Sequence, residues 1–185
     1  MGTHKATKES RGRSNRLVGQ VGEFLVCAEL GRRGMIATPF AGNVPSFDVI
    51  AVGRDLRSIP IQVKTADGGD WQYDSERFLD IDYDQTTQKQ TVRGLKTLPN
   101  ADLITVFVWL AQKQDQRDRF FVFRQQDWAR LVYDRHTKFL EKHGGRRPRK
   151  PESMHGAIRT QDLSPYEDKW ELIVAHAADG PASAT

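Results

Sequence analysis

The nine-residue run from Leu103 to Ala111 constrains the fold more than any other feature of the sequence. Every residue in it except Thr105 is apolar. A helix that crosses a membrane needs about 20 apolar residues, so this run is too short for that role. A short, nearly continuous apolar run is typical of a β-strand covered on both faces. The sequence therefore predicts a sheet with other elements packed on both sides.

The elements around this strand predict an α/β fold with a central mixed β-sheet flanked by helices. A first helix is predicted from Asn15 to Arg33, with Leu17 and Phe24 on its main apolar face and Glu23 at least partly buried on a second stripe. Two apolar runs joined by a short polar turn then predict a β-hairpin. Strands are predicted over 35–40, 48–52, 59–66, 78–83, 103–111 and 119–123, and later helices over 125–143 and from Ser164.

The chain has 185 residues, which predicts one domain with tails. Residues 1–14 are polar and basic and are predicted to form a disordered tail, residues 15–178 a single domain, and residues 179–185 a flexible tail. The first ten residues contain no apolar stretch, and Cys27 is the only cysteine. We therefore expect a cytoplasmic protein with no secretion signal, no disulfide and no membrane contact.

Three polar residues on the predicted hairpin form the strongest candidate for a catalytic site. Gln62 and Lys64 are two residues apart on one strand, so their side chains share a face of the sheet. In a hairpin closed by residues 53–58, Asp48 lies opposite either Gln62 or Lys64. Glu23 on the preceding helix could complete the group if that helix packs over the sheet.

The residue types in this group suit the hydrolysis of phosphodiesters. Mg²⁺ prefers oxygen ligands, which Asp48, Glu23, Gln62 and the backbone carbonyl of Val63 could supply. Such a metal ion activates water and neutralises charge on a phosphate. Lys64 could orient or deprotonate the attacking water, or contact the scissile phosphate.

The runs GQVGEFLVCAELGRRG, SFDVIAV and IPIQVKTA together resemble the PD-(D/E)XK nuclease superfamily. Within it, the chain is most similar to archaeal Holliday-junction-resolvase-type and uncharacterised endonuclease-like members. The resemblance implies a restriction-endonuclease-like fold and an endonuclease that cleaves DNA, including branched or damaged DNA, with Mg²⁺ or Mn²⁺. By motif position, Glu23 matches the helical acid, Asp48 the strand acid and Lys64 the lysine. Members of this superfamily often dimerise, so a homodimer is an option.

The chain departs from the family pattern at Gln62, which stands where the family has an aspartate or glutamate. Q-x-K variants occur among active members, so the resemblance still implies a metal-dependent nuclease, although with two carboxylates in place of three. Two alternatives stay open. One is a nucleic-acid-binding protein whose nuclease site has decayed, and the other is an interaction protein that docks through its acidic segment 67–84.

Clusters of cations predict a polyanionic partner, which we take to be DNA. The segment 141–160 carries six cations against two acids, whereas 67–84 carries seven acids against one arginine. Arginines in a Gly- and Pro-containing segment can follow phosphates without reading bases. The candidate nucleic-acid contacts are Lys89, Arg93, Lys96, Arg146, Arg147, Arg149 and Lys150.

Overall fold

The computed structural model describes residues 14–40 and 46–178 and contains three α-helices and nine β-strands within those ranges. The elements in chain order are α1 (Asn15–Arg32), β1 (Ile36–Pro39), β2 (Val49–Val52), β3 (Ser58–Ala66), β4 (Trp71–Asp74), β5 (Leu79–Asp84), β6 (Lys89–Leu95), β7 (Ile104–Trp109), β8 (Arg119–Arg124), α2 (Gln125–Lys142), β9 (His155–Ile158) and α3 (Glu171–Ala178).

A five-stranded mixed sheet with the order β1-β2-β3-β7-β8 forms the centre of the molecule. The β3 and β7 strands run parallel, and every other neighbouring pair in this sheet is antiparallel. Two small antiparallel ribbons, β4-β9 and β5-β6, lie outside it. The predicted hairpin is therefore present as β2 and β3, with Val49 opposite Ile61.

The long apolar run over 103–111 contains β7, the strand between β3 and β8. Val106 and Val108 face a core that also contains α1 and α3, and Phe107 faces a second core on the α2 side. All three are fully buried. Burying each such side chain contributes about 1.5–3 kcal/mol, so a strand covered on both faces anchors both halves of the core. This prediction is confirmed.

The apolar face of α1 differs from the prediction. The buried stripe consists of Val18, Gly22, Val26 and Leu30, while Phe24 is 61% exposed. Leu17, which was expected beside Phe24 in the core, is 48% exposed. The buried residues are spaced four apart, and one of them is a glycine. Because glycine has no side chain, the pattern of apolar side chains did not indicate that this face is buried.

Three short strands, β4, β6 and β9, were not predicted. The β6 strand has a polar exposed face, and β4 lies inside the acidic segment. The partner of β4 is β9, about eighty residues further along the chain, which no local pattern can indicate. The last helix was also misplaced, since Ser164 and Pro165 lie in a 3₁₀ turn at Thr160–Tyr166 that precedes α3.

The predicted tails at residues 1–14 and 179–185 lie outside the described residues except for Ser14, whose side chain caps α1 by accepting from Leu17 N–H. Within the described ranges, no helix combines the length and the apolar character that a membrane span requires.

Candidate active site

The β3 strand is longer than its partner β2, and the difference creates the candidate site. The β2 strand pairs only with the part of β3 from Ser58 to Ile61, whereas β3 continues to Ala66. Beyond Ile61, the backbone N–H of Val63 donates to the Asp48 carboxylate, with an N···O distance of 2.7 Å. A side chain thus replaces the missing strand and satisfies an edge donor that would otherwise lack a partner.

Asp48 is held by its own backbone on both sides. Its N–H donates to the carbonyl of Ile61 and its carbonyl accepts from the N–H of Phe40, each at 2.9 Å. The N–H and C=O of one strand residue point to the same edge, so the carbonyl of Val63 faces Asp48 as its N–H does. The β2–β3 register ends at Val49 opposite Ile61, so Asp48 precedes β2 and contacts β3 at Ile61 and Val63, on either side of Gln62.

Gln62 is buried, and its Oε1 atom has no hydrogen-bond partner among the described residues. Leaving a buried polar atom unsatisfied costs about 1–3 kcal/mol, so an unpaired oxygen at this point requires an explanation. A neutral amide oxygen is among the ligands that hard divalent cations take.

Glu23 is half-buried on α1, as predicted. Burial raises the pKa of its carboxyl above the usual value, and the negative charge of Asp48 raises it further. A cation placed between the two carboxylates would offset the repulsion between their negative charges. The same surroundings act on Cys27, because burial and the Glu23 charge raise the pKa of its thiol. Cys27 therefore lacks the lowered pKa of a reactive nucleophile.

Close packing of α1 on β3 sets the position of Glu23. A Cβ atom added at Gly22 would lie 1.9 Å from Thr65 Oγ1, so only glycine permits this approach. Gly22 and Thr65 were not singled out in the sequence. The one sequence feature that could have indicated this close contact is that Gly22 directly precedes the candidate ligand Glu23 on the predicted helix.

Lys64 lies on the α2 side of β3 and is half-buried. Its backbone carbonyl accepts from Trp71 Nε1 at 3.0 Å, which ties the end of β3 to β4. Among the described carboxylates, none forms an ion pair with its ammonium group. The side chain lines a cavity of about 550 Å³ that Trp71 and Trp128 also line.

The candidate donors for a metal ion are the carboxylates of Glu23 and Asp48, the Val63 carbonyl and the amide oxygen of Gln62, which lies on the α2 side of β3 with Lys64. In the described part of the chain, no group of three or more His, Cys, Asp or Glu residues could hold a metal ion. The unpaired Gln62 Oε1 and the facing charges of Glu23 and Asp48 fit a divalent cation that takes oxygen ligands. With only two charged ligands, such a site would be weaker than one with three.

The predicted basic contacts fall into two groups at opposite ends of the β5-β6 ribbon. At one end, Lys96 Nζ donates to the carbonyl of Glu76 at 2.7 Å. At the other, Gln90 N–H donates to the carbonyl of Gly145, which brings the loop 144–153 against the start of β6. About 20 Å separates the ends of a strand of this length.

Several of these cations already interact with neighbouring acidic, polar or aromatic side chains. Arg93 forms an ion pair with Asp82, and Lys89 lies opposite Asp84 in the ribbon. Arg147 lies over the ring of Phe139 at 5.1 Å, and Arg146 donates to Gln88. Arg149 and Lys150 are exposed. The geometry therefore favours the loop over the ribbon as a surface for phosphates.

A search of family models found no match to the chain, and no curated protein matches it. Among solved structures, the chain is similar to a bacterial homing endonuclease, I-Ssp6803I, with a TM-score of 0.52 and 13% sequence identity. The similarity covers 92% of this chain and 100% of that one. The chain therefore has an endonuclease-like α/β fold, with a central mixed sheet flanked by helices, and the predicted fold class is confirmed.

Proposed function

We propose that the protein is a metal-dependent DNA endonuclease of the PD-(D/E)XK type with a Q-x-K site. The observation that carries the proposal is the hydrogen bond from Val63 N–H to the Asp48 carboxylate, one residue along β3 from Gln62 and its unpaired Oε1. It joins a strand acid to the backbone of the strand that bears Gln62 and Lys64. The homing endonuclease with the same fold supports a nuclease over an unrelated hydrolase.

Asp48 and Glu23 would hold the metal ion, with Gln62 and the Val63 carbonyl as neutral ligands. Mg²⁺ or Mn²⁺, when bound, would activate water and neutralise the charge that develops on the phosphate. The raised pKa of Glu23 has a consequence for pH. Its charged form is lost at a higher pH than that of an ordinary glutamate, so metal affinity should fall early on acidification.

Lys64 would act on the substrate side of the site. Its ammonium has no described carboxylate as an ion-pair partner, and its side chain shares a face of β3 with Gln62. A cation in that position can orient the attacking water or bind the scissile phosphate. The hydrogen bond from Trp71 to the Lys64 carbonyl would fix the strand end that carries it.

We infer that the substrate is DNA, including branched or damaged DNA. The exposed cations of the loop 144–153 could contact phosphates outside the catalytic patch. Cutting both strands would require two copies of the site or two successive events. A supercoiled plasmid separates these cases, since one cut yields the nicked circle and two opposed cuts the linear form.

The test is a cleavage assay on plasmid, single-stranded and four-way-junction DNA, with Mg²⁺, Mn²⁺ or EDTA. Asp48→Asn is the sharpest variant, because an amide oxygen can still accept from Val63 N–H while the charge is lost. We expect it to reduce cleavage by about 100-fold or more, the upper range for altered metal surroundings. The matched control is Asp80→Asn, which changes an exposed carboxylate on β5. Equal rates for Asp48→Asn and the parent at saturating metal would refute the assignment.

A DNA-binding protein with a decayed nuclease site is the second candidate. The lack of a three-carboxylate cluster in the described residues favours it. In that case the chain would bind DNA with a salt-dependent affinity but cut none of the three substrates with either metal. A docking protein that uses the acidic segment 67–84 would neither bind nor cut DNA.

A further inference from the structure

Three buried oxygen atoms near the candidate site lack a hydrogen-bond partner among the described residues. They are Gln62 Oε1, Thr105 Oγ1 and Gln125 Oε1. The residues that carry them are at most 9% exposed. An amide oxygen can only accept a hydrogen bond, so Gln62 and Gln125 both require a donor. Buried oxygens without a donor are costly to the fold, and three of them in one region call for a common explanation.

The fold brings the three side chains together on the α2 side of the central sheet. Gln62 and Thr105 are partners in the parallel pairing of β3 and β7, so their side chains are neighbours on one face. Thr105 also lies opposite Phe123 of the α2-side core. Neighbouring strands lie about 5 Å apart, a distance that a glutamine side chain can span. Gln125 lies on the buried face of α2, and its N–H donates to the carbonyl of Leu103, two residues before Thr105.

A half-turn of the Gln62 amide about its terminal bond would give the neighbouring oxygens a donor. The oxygen and nitrogen of an amide are nearly equal in size, so exchanging them keeps the packing and changes only the hydrogen bonds. The turned amide directs Nε2 toward Thr105 and Gln125, and its two N–H groups match the two oxygens there. Gln62 Oε1 then points away from these oxygens and is free to bind a cation.

We propose that Thr105 and Gln125 are positioning residues for Gln62. Their oxygens accept from Gln62 Nε2, and these two hydrogen bonds hold the amide in the orientation that presents Oε1 to the metal ion. The inference rests on the proposed function, in which Gln62 is a neutral metal ligand. A ligand held by hydrogen bonds in this way loses less freedom when the metal ion binds, which strengthens binding at a site with only two carboxylates.

The test compares Thr105→Val with Thr105→Ser in the full chain. Valine has nearly the shape of threonine but no hydroxyl, whereas serine keeps the hydroxyl. The readouts are Mg²⁺ or Mn²⁺ affinity by isothermal titration calorimetry and urea unfolding in EDTA, and neither depends on cleavage. Removing a group that hydrogen-bonds to a metal ligand weakens metal binding by about 10–100-fold, so we expect a loss of about 10-fold for Thr105→Val. Thr105→Ser should keep most of the affinity of the parent chain.

Thr137→Val is the matched control. Thr137 also has a buried hydroxyl without a described partner, but it lies about 18 Å along α2 from Gln125. Replacing an unpaired hydroxyl with a methyl group should raise the urea midpoint or leave it unchanged, with metal affinity unaffected. Thr105→Val should instead lower the midpoint, because it leaves an N–H of Gln62 unpaired. Gln125→Met removes the second oxygen and should weaken metal binding as Thr105→Val does.

A higher urea midpoint for Thr105→Val would mean that its hydroxyl has no partner, and it would overturn the proposal. A lower midpoint with unchanged metal affinity would overturn it as well, because the hydroxyl would then stabilise the fold without orienting Gln62. Failure of the proposed function gives a different result. The parent chain would then bind no metal ion and cut no DNA, and the inference would fall with it, whereas equal metal affinity of the parent and Thr105→Val refutes the positioning role alone.

Discussion

At the scale of single residues, Gln62 decides how strongly the site could hold a metal ion. Its Oε1 atom is buried without a described partner, and the next residue along β3, Val63, donates its N–H to the Asp48 carboxylate. Gln62→Glu would add a third carboxylate, so we expect tighter Mg²⁺ binding at neutral pH. Isothermal titration calorimetry measures this directly, and unchanged or weaker affinity would mean that Gln62 does not contact the metal.

The same substitution also tests the electrostatics of the site without metal. Burial and then the charge of Asp48 already raise the pKa of Glu23, and a third carboxylate nearby would add to the repulsion. Gln62→Glu should therefore lower the free energy of unfolding in EDTA and raise it in saturating Mg²⁺. Thermal unfolding in the two buffers gives both values, and the exposed Gln72→Glu on β4 provides the control.

At the scale of elements, the contact between α1 and β3 positions Glu23. A methyl group at Gly22 would clash with Thr65, so Gly22→Ala should cost about 1–3 kcal/mol of stability. Gly19 lies three residues earlier on the same helix with nothing within 4 Å of its added Cβ. Gly19→Ala should therefore be neutral or stabilise by up to about 1 kcal/mol.

Urea unfolding of the two alanine variants separates packing from helix propensity. Thr65→Ala removes the clashing hydroxyl. The double variant Gly22→Ala/Thr65→Ala should therefore lose less unfolding free energy than the two single variants lose in total. If both glycine variants change stability equally, the close approach is not what holds α1 on the sheet.

A buried hydrogen-bond chain joins α2 to the ribbon and the basic loop. His136 is 3% exposed, with Nδ1 2.9 Å from Ser75 Oγ and Nε2 2.9 Å from Gln90 Oε1. Gln90 donates in turn to the carbonyls of Pro151 and Ser153. Since Gln90 Oε1 only accepts, the ring carries its proton on Nε2 and the Ser75 hydroxyl donates to Nδ1.

Burial, with the nearby charge of Arg147, lowers the pKa of His136 to about 4. The unfolded chain then binds more protons than the folded one between that value and the usual histidine pKa of about 6.5, so stability falls as pH falls through this window. We expect a loss of about 2 kcal/mol from this group between pH 7 and pH 5. Urea unfolding at the two pH values should show a smaller loss for His136→Gln, and His155→Gln, an exposed histidine, is the control.

The elements differ in how far the sequence could predict them. The β7 strand was predictable because burial on both faces leaves an unbroken apolar run. The shared face of Gln62 and Lys64 was predictable from strand alternation, and the hairpin predicted that Asp48 lies against this part of β3, whereas their role as a site stays a prediction. The buried face of α1 was not, because its central contact is a glycine, and the cavity beside Lys64 was not, because β4 and its partner β9 are remote in sequence.

At the scale of the whole molecule, opposite charges are kept apart along the chain but meet in the fold. The ribbon sets acids of β5 beside cations of β6, as in the pair of Arg93 with Asp82. The loop 144–153 is held against β6 through Gln90, so its four cations, with Glu152 as the one acid of the loop, lie beside the mixed charges of the ribbon. A polyanion would therefore approach from the side of the loop.

This arrangement predicts which cations contribute to DNA affinity. Replacing Arg146, Arg149 and Lys150 together with glutamine should weaken binding to all sequences alike, because phosphate contacts carry no sequence information. The slope of log affinity against log salt should flatten by about 0.9 for each phosphate of duplex DNA that the variant no longer neutralises. Arg147 is kept in this variant, because its packing over Phe139 would add a loss of stability to the loss of charge.

The matched control replaces three exposed cations elsewhere, Arg54, Lys113 and Arg117, with glutamine. Both variants change the net charge equally, so a general effect of charge would flatten both salt slopes to the same extent. A local phosphate surface would flatten only the slope of the loop variant, with cleavage at saturating DNA unchanged because Lys64 lies on the sheet. If the loop variant keeps the affinity and slope of the parent, these cations serve solubility and DNA approaches the site from another side.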